Sequence, residues 1–218
     1  MSIYFVSLIG SYSIAIAAIA GIARFREIDP VYRPFVYVCW LALINESIST
    51  VTTLVYKNNA VNLNIYVLLE CFLFLFQFYK WGEFENRKFG WRVLCAFLLL
   101  TWFLDNFILN SFLTINSLFR IVYSFVVVFL AINLINKIMV ERRNRLINDA
   151  RFLICTGIII FYSYKAFFET FYLLKLNFSN DFYNYIHLIL EAANVLVNFL
   201  FAVAIFRIPK QQNFVLPF

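Results

Sequence analysis

Eight side chains that can carry charge lie inside apolar stretches of this chain, where ionisable groups are rare. Burying such a group in a bilayer costs about 2.5–3.5 kcal/mol on insertion scales, so these residues usually face a bundle interior or a water-filled cavity. Two are bases, one is the single histidine of the chain and five are carboxylates. The candidate ligand- or ion-binding residues are Glu46, Glu70, Asp105, Arg120, Lys165, Glu169, His187 and Glu191.

The charge of this set indicates what it would bind. Five carboxylates and two bases give a formal charge of −3 when His187 is neutral. A cavity of low dielectric holds that charge poorly unless carboxylates take up protons or a cation binds. The favoured guests are a small cationic molecule, a metal ion or protons. No cofactor or built metal site is predicted, because the lone His187 and the scattered Cys39, Cys71, Cys95 and Cys155 lack metal-ligand spacing.

The clearest pattern is a polar stripe near the C-terminus. Its members stand four, four, three and four residues apart, so they share one face of a helix: Tyr183, His187, Glu191, Asn194 and Asn198. We interpret Asn194 and Asn198 as groups that hydrogen-bond to neighbouring helices. His187 and Glu191 are interpreted as part of a site, because a buried carboxylate costs more than an amide that could make the same contacts.

Two further patterns concern how the charges are paired. Lys165 and Glu169 are four residues apart and could pair along their own helix, which leaves their part in ligand binding open. Arg120 is expected to neutralise a carboxylate, and Asp105 on the preceding helix is the natural candidate. The sequence therefore predicts the charged cluster but does not assign all its partners.

The elements that must position these residues are transmembrane helices. The chain is 63% hydrophobic and 14% charged, against about 45–50% and about 25% in soluble domains. Crossing about 30 Å of hydrocarbon takes about 20 residues, and seven apolar runs have that length: about 2–23, 34–55, 61–80, 90–109, 112–136, 152–174 and 183–206. We predict one all-α domain over 1–218, a polytopic transmembrane bundle of seven helices. A tight hairpin at Asn110 and Ser111 is expected between the fourth and fifth.

The distribution of basic residues predicts the orientation. Fourteen of the 18 Lys and Arg lie after the first run, between the third and fourth, between the fifth and sixth, or in the tail. The positive-inside rule places these segments in the cytoplasm, with the N-terminus outside and the C-terminus inside. Glu46 and Glu70 then fall near the bilayer midplane, whereas Asp105, Arg120, Glu169 and His187 fall in the outer half. The cluster is therefore expected to open outward.

The first apolar run is interpreted as an uncleaved helix rather than a signal peptide. No Lys or Arg precedes it, and Arg24 and Arg26 follow it at once. Ser13, Ala17 and Gly21 form a ridge of small residues at four-residue spacing, which predicts close packing against a neighbouring helix.

The longest connection, about 137–151, is basic. We expect it to contact anionic membrane lipids, with docking of a cytoplasmic or membrane signalling partner as the alternative. Nucleic acid is not expected as a partner, because topology accounts for the net charge of +6.

Three short segments resemble a group of small bacterial seven-helix integral membrane proteins without a known activity. They are Tyr66-Val-Leu-Leu-Glu70, Gly157-Ile-Ile-Ile-Phe-Tyr162 and the stretch from His187 to Asn198. The resemblance implies a multi-pass protein of the bacterial cytoplasmic (inner) membrane. Lys165 and Glu169 are not part of the pattern of that group.

These patterns favour a receptor-like or sensor-like bundle that binds a small, cationic ligand in an outward-facing polar pocket and signals to a partner. One alternative is a proton- or cation-coupled transporter or channel. The four prolines, however, lie at or beyond predicted helix ends, whereas transporters often have broken helices. The second alternative is an intramembrane lipid-modifying enzyme with Glu191 and His187 as an acid–base pair. An enzyme is the less favoured of these functions.

Overall fold

The computed structural model describes residues 8, 10–85, 87–141, 146–174 and 178–211. The predicted start of the first span and residues 142–145 of the basic connection lie outside the described residues. Within them the fold is all-α, with seven helices in chain order: α1 Ile14–Arg24, α2 Arg33–Tyr56, α3 Ala60–Lys80, α4 Lys88–Phe103, α5 Leu118–Glu141, α6 Ala150–Leu173 and α7 Asn180–Arg207. A π-helical turn, Leu104–Leu109, continues α4.

Six helices of the described chain, α2 to α7, are long and apolar enough to cross a membrane. With their short helical extensions they have 21–27 residues and mean hydropathies of 1.4–2.3. Large apolar side chains such as Phe129 and Phe199 are exposed on the outside of the bundle, as expected for helices that face lipid. The coarse prediction, an all-α bundle with several helices that could span a membrane, is confirmed. The described part of α1 is a shorter apolar helix, from Gly10 or Ile14 to Arg24.

The helices form a closed ring around an interior. The most extensive packing is between α5 and α6, α6 and α7, α2 and α3, and α7 and α1, while α3, α4 and α5 pack more lightly together. Short connections between successive helices make their directions alternate. One end of the ring, here the basic end, therefore collects Arg24, Arg33, Lys80, Lys88 and Arg207.

Close packing of α1 follows from its small residues. Ala17 is fully buried, and a Cβ added to Gly21 would lie 2.8 Å from Cγ1 of Val36 on α2. The Ser13 hydroxyl accepts a 2.8 Å hydrogen bond from Asn198 Nδ2 on α7. The predicted small-residue ridge and the interhelical role of Asn198 are both confirmed.

The basic end also joins the first helix of the ring to the last. Arg24 Nη1 donates to the carbonyl oxygen of Ile205 at 2.5 Å, and its Nη2 donates to that of Ile208 at 3.4 Å. Further along, the backbone N–H of Asp29 donates to the carbonyl of Pro209 at 3.1 Å. These bonds fasten the segment after α7 to the end of α1 and the segment that follows it.

The connection between α4 and α5 differs from the prediction. It runs over residues 110–117, so α5 begins at Leu118 rather than near 112 and continues to 141. The prediction of a tight hairpin at Asn110 and Ser111 is therefore wrong. The longer loop is stable because polar side chains hydrogen-bond its backbone groups. Asn64 Nδ2, for example, donates to the carbonyls of Phe112 (3.2 Å) and Thr114 (2.9 Å).

Close approach of α6 and α7 depends on Gly157. A Cβ at this position would lie 2.5 Å from Cε1 of Phe201, far inside van der Waals contact. Gly157→Ala is therefore expected to lower the unfolding free energy by about 1–3 kcal/mol, measured by denaturant titration in detergent micelles. Gly90→Ala is the control, because its new Cβ would lie 3.7 Å from Cβ of Arg87, an ordinary van der Waals contact. If Gly157→Ala were as stable as Gly90→Ala, the packing argument would be wrong.

Candidate functional site

A partly enclosed cavity of about 260 Å³ lies inside the ring. It is lined by residues of α1, α2, α3, α5, α6 and α7 and by Ser11 just before α1. Six of the eight residues proposed from the sequence line it: Glu46, Glu70, Arg120, Lys165, Glu169 and His187. Glu191 lies beside it through its contact with His187, and Asp105 is placed elsewhere. Helical periodicity thus brings seven of the eight residues together.

Glu70, at the middle of α3, is the most highly coordinated carboxylate in the cavity. It is 4% exposed. The Tyr66 hydroxyl donates to its Oε1 at 2.5 Å, and the Tyr123 hydroxyl lies 3.3 Å from its Oε2. Lys165 Nζ is 3.8 Å from the same Oε2. Three groups from three helices therefore fix this carboxylate in one position.

Lys165 is held by Glu70 and by aromatic rings. Its ammonium lies 5.6 Å from the ring centroid of Phe161 and 5.3 Å from that of Tyr162, distances typical of cation–π contacts. The ion pair with Glu70 joins α6 to α3. The structure therefore shows a pair between helices where the sequence also allowed one along α6 with Glu169.

The carboxylate of Glu169 contacts one residue of α5 and the residue that directly precedes that helix. Arg120 Nη1 lies 3.2 Å from its Oε1, and the Ser117 hydroxyl donates to its Oε2 at 2.5 Å. The side chains of Arg120 and Glu169 are 9% and 8% exposed, so this ion pair is buried. Arg120 Nη2 is buried and makes no hydrogen bond within the described residues.

Asp105 does not line the cavity and is not the partner of Arg120 predicted from the sequence. It is fully buried in the π-helical turn. Its carboxylate accepts the backbone N–H of Phe119 at 2.8 Å and Asn110 Nδ2 at 2.9 Å. An acid here satisfies a free N–H at the start of α5, where the helix dipole also favours negative charge. Its contacts in the structure are those of a helix cap.

The two remaining acids, Glu46 on α2 and Glu191 on α7, are here called the rim carboxylates. Glu191 Oε1 lies 3.6 Å from His187 Nε2. The side chains of Ser11 and Asn45 lie beside the Glu46 carboxylate, which is close enough to Glu191 for the two charges to interact. The rim carboxylates thus bring two like charges from different helices to the same cavity.

The two halves of the cavity differ in polarity. Toward the basic end its lining is apolar and consists of Val38, Cys39, Phe74 and Phe201, here called the apolar floor. Fully buried Phe35 and Phe78 lie further in that direction. The charged groups lie between the middle of the bundle and the end opposite to the basic end. The cavity is therefore polar at one end and closed at the other by packed aromatic side chains.

Sequence reasoning missed Tyr123 and Ser117, which hold Glu70 and Glu169. Both are three residues from Arg120, so helical spacing around that base could have indicated them. Within the described residues, no group of three or more His, Cys, Asp and Glu is arranged to hold a metal ion. No protein-family model matches the chain, and no curated protein or solved structure matches it significantly.

Proposed function

We propose that this protein is a receptor or sensor of the bacterial inner membrane that binds a small organic cation in the cavity and signals to a partner at its basic end. The surplus of negative charge carries the proposal. The cavity and its rim hold four carboxylates and two permanent bases, a formal charge of −2 with His187 neutral. Both bases are already paired, with Glu70 and Glu169. A cation at the rim carboxylates would relieve their repulsion.

The shape and lining of the cavity support an organic cation. Aromatic side chains in the lining, Tyr66, Phe161, Tyr162 and Phe168, offer π faces to a positive charge. The volume of about 260 Å³ lies just under the usual range of about 300–1,000 Å³ for small-molecule pockets. The ligand is therefore expected to be smaller than a typical drug.

The apolar floor supports sensing over transport. Phe74 in the floor is 1% exposed, and Phe35 and Phe78 below it are fully buried. A ligand in the cavity therefore meets packed aromatic side chains rather than a path to the basic end. A net flux of an organic cation into protein-containing liposomes would instead favour the transporter. Turnover of a phospholipid in micelles, lost in His187→Gln, would favour the lipid-modifying enzyme.

The binding proposal is tested with the double variant Glu46→Gln and Glu191→Gln. In nanodiscs, primary and quaternary alkylammonium ions are expected to raise the melting temperature of the native protein, since binding to the folded state stabilises it. In the double variant their affinity should fall about tenfold or more, because charge-assisted contacts are lost. Neutral alcohols of the same size are the ligand control. Glu27→Gln is the protein control, since Glu27 is half-exposed and lies at the basic end. Equal stabilisation by amines and alcohols would contradict the proposal.

The proposed orientation places the basic end in the cytoplasm and the N-terminus outside. A cysteine at Leu113, which is 64% exposed in the loop before α5, should react with a membrane-impermeant maleimide on intact spheroplasts. A cysteine at Ile147, 73% exposed at the basic end, should react only after permeabilisation. The native Cys39, Cys71 and Cys155 are buried and Cys95 lies within α4. Labelling of position 147 from outside would reverse the orientation.

A further inference from the structure

A second pocket, of about 330 Å³, lies at the basic end of the bundle. The ends of α3 and α7, the start of α6 and the segment before α2 line it. These helices are all candidate membrane spans, so the pocket lies at the level where a bilayer has its headgroups. It is here called the basic-end pocket, and its charged residues are Asp29, Lys80, Asp149, Arg151 and Arg207.

The charge of the basic-end pocket is opposite to that of the cavity inside the ring. Three bases and two carboxylates give it a formal charge of +1. Both carboxylates take part in the fold: Asp29 Oδ1 accepts the backbone N–H of Val31 at 2.9 Å, and Asp149 Oδ1 accepts that of Arg151 at 2.8 Å. Acids at these positions cap the helical turns that follow. The basic-end pocket is therefore expected to attract anions.

The two arginines of the basic-end pocket are anchored on consecutive residues. Arg207 Nη1 donates to Asn148 Oδ1 at 2.7 Å, and Arg151 Nη2 lies 3.4 Å from Asp149 Oδ2. Each contact uses one of the five N–H donors of a guanidinium. Arg207 is exposed, and 22% of the Arg151 side chain is exposed. Both guanidinium groups therefore remain accessible to a ligand.

The helix dipole accounts for only part of this arrangement. Lys80 and Arg207 end α3 and α7, where the dipole favours a positive charge. Arg151 lies in the first turn of α6, where the dipole disfavours one. Across the described segments, neither Lys80 nor Arg207 forms an ion pair with a carboxylate. An anion in the basic-end pocket would supply the counter-charge that these two bases lack.

The directions of the donors favour one class of anion. The two oxygens of a carboxylate lie in one plane and match one forked guanidinium, whereas the oxygens of a phosphate group point in several directions and can bond two arginines and a lysine. The volume of about 330 Å³ is within the usual range of about 300–1,000 Å³ for small-molecule pockets. It therefore has room for a phosphate group together with the group that carries it.

We propose that the basic-end pocket binds the phosphate group of a phosphate ester, which is either the headgroup of an anionic lipid or a small soluble ester. Basic pockets between membrane-spanning helices are suited to such headgroups. Lys80 and Arg207 lie outside the connection 137–151, so the lipid contacts expected of that connection do not account for this pocket. The apolar floor separates it from the cation site, so this inference does not depend on the proposed function.

Two phosphate probes test the inference on the protein in micelles of a neutral detergent: dihexanoyl phosphatidylglycerol and glycerol 3-phosphate. Binding to the folded state should raise the melting temperature beyond the effect of potassium chloride at equal ionic strength. Stabilisation by glycerol 3-phosphate assigns the pocket to a soluble ester, and stabilisation by the lipid alone assigns it to a headgroup. Dihexanoylglycerol and succinate are the controls. No effect of either probe, or an effect of succinate equal to that of the better probe, would overturn the inference.

The double variant Lys80→Gln and Arg207→Gln tests the place of binding. Its affinity for the effective probe should fall about tenfold or more, because charge-assisted contacts are lost. The double variant Arg26→Gln and Lys88→Gln is the control, since it removes two exposed charges outside the basic-end pocket, and its affinity should be unchanged. Arg151→Gln should also weaken binding, which keeps the test decisive if the first double variant does not fold. Equal losses in the two double variants would show attraction by overall charge and overturn the pocket.

Discussion

Arg120→Met is expected to lower the free energy of unfolding by about 3–5 kcal/mol, the usual cost of leaving one partner of a buried ion pair uncompensated. The carboxylate of Glu169 would keep only the Ser117 hydroxyl of its two present contacts. Denaturant unfolding in detergent micelles, followed by tryptophan fluorescence, measures the loss. The double variant Arg120→Met with Glu169→Leu should recover part of it, because an apolar pair leaves no buried charge.

The control for this prediction is Lys210→Met at the basic end. Lys210 Nζ and Glu27 Oε2 form an ion pair of similar length, 3.1 Å, but the two side chains are 72% and 52% exposed. Solvent screens this pair, so the loss should stay within about 1 kcal/mol. Burial rather than distance therefore decides the difference in stability. Equal losses in Arg120→Met and Lys210→Met would refute that explanation.

Gln77→Met should destabilise the bundle by about 1–3 kcal/mol for each of two backbone groups that lose their partners. Gln77 is fully buried on α3. Its Oε1 accepts the backbone N–H of Phe35 at 2.8 Å, and its Nε2 donates to the carbonyl of Val31 at 2.8 Å. Methionine fills a similar volume but offers neither contact.

Hydrogen exchange of the Phe35 amide tests whether the stability loss comes from this lost hydrogen bond. In Gln77→Met this amide should lose protection before the rest of α2 does. Ser47→Ala is the comparison, because the exposed Ser47 hydroxyl donates to the carbonyl of Leu43 on its own helix. A Gln77→Met variant with unchanged protection at Phe35 would show that the side-chain bridge does not hold the start of α2.

Hydropathy and helical period predicted much of the bundle. The runs at 34–55, 61–80 and 152–174 agree within two residues with α2, α3 and α6, because the length of an apolar run is set by the bilayer. The inward direction of Glu70 and Lys165 was also predictable, since a charge facing lipid is costly. The late start of α5 could not be predicted, because loop residues 110–117 are held by side chains of other segments, such as Asn64.

The pairing of charges lay beyond the sequence. Arg120 with Glu169 and Lys165 with Glu70 are pairs between helices, and they depend on which helices are neighbours in the ring. Chain order alone favoured Asp105 as the ion-pair partner of Arg120, since the two residues lie on successive helices. A local interaction prevents this pairing, because the Asp105 carboxylate instead accepts the free backbone N–H of Phe119 at the start of α5.

The closure of the ring between α1 and α7 has a consequence for biosynthesis. Ser13 and Asn198 are 185 residues apart in the chain, and Arg24 and Ile205 are 181 apart. During synthesis α1 therefore enters the membrane long before its main partner exists, with its small-residue ridge uncovered. Contacts of such high sequence separation form late in folding. The cavity is thus completed only when α7 arrives, so a nascent chain that stalls earlier leaves its charged side chains uncovered.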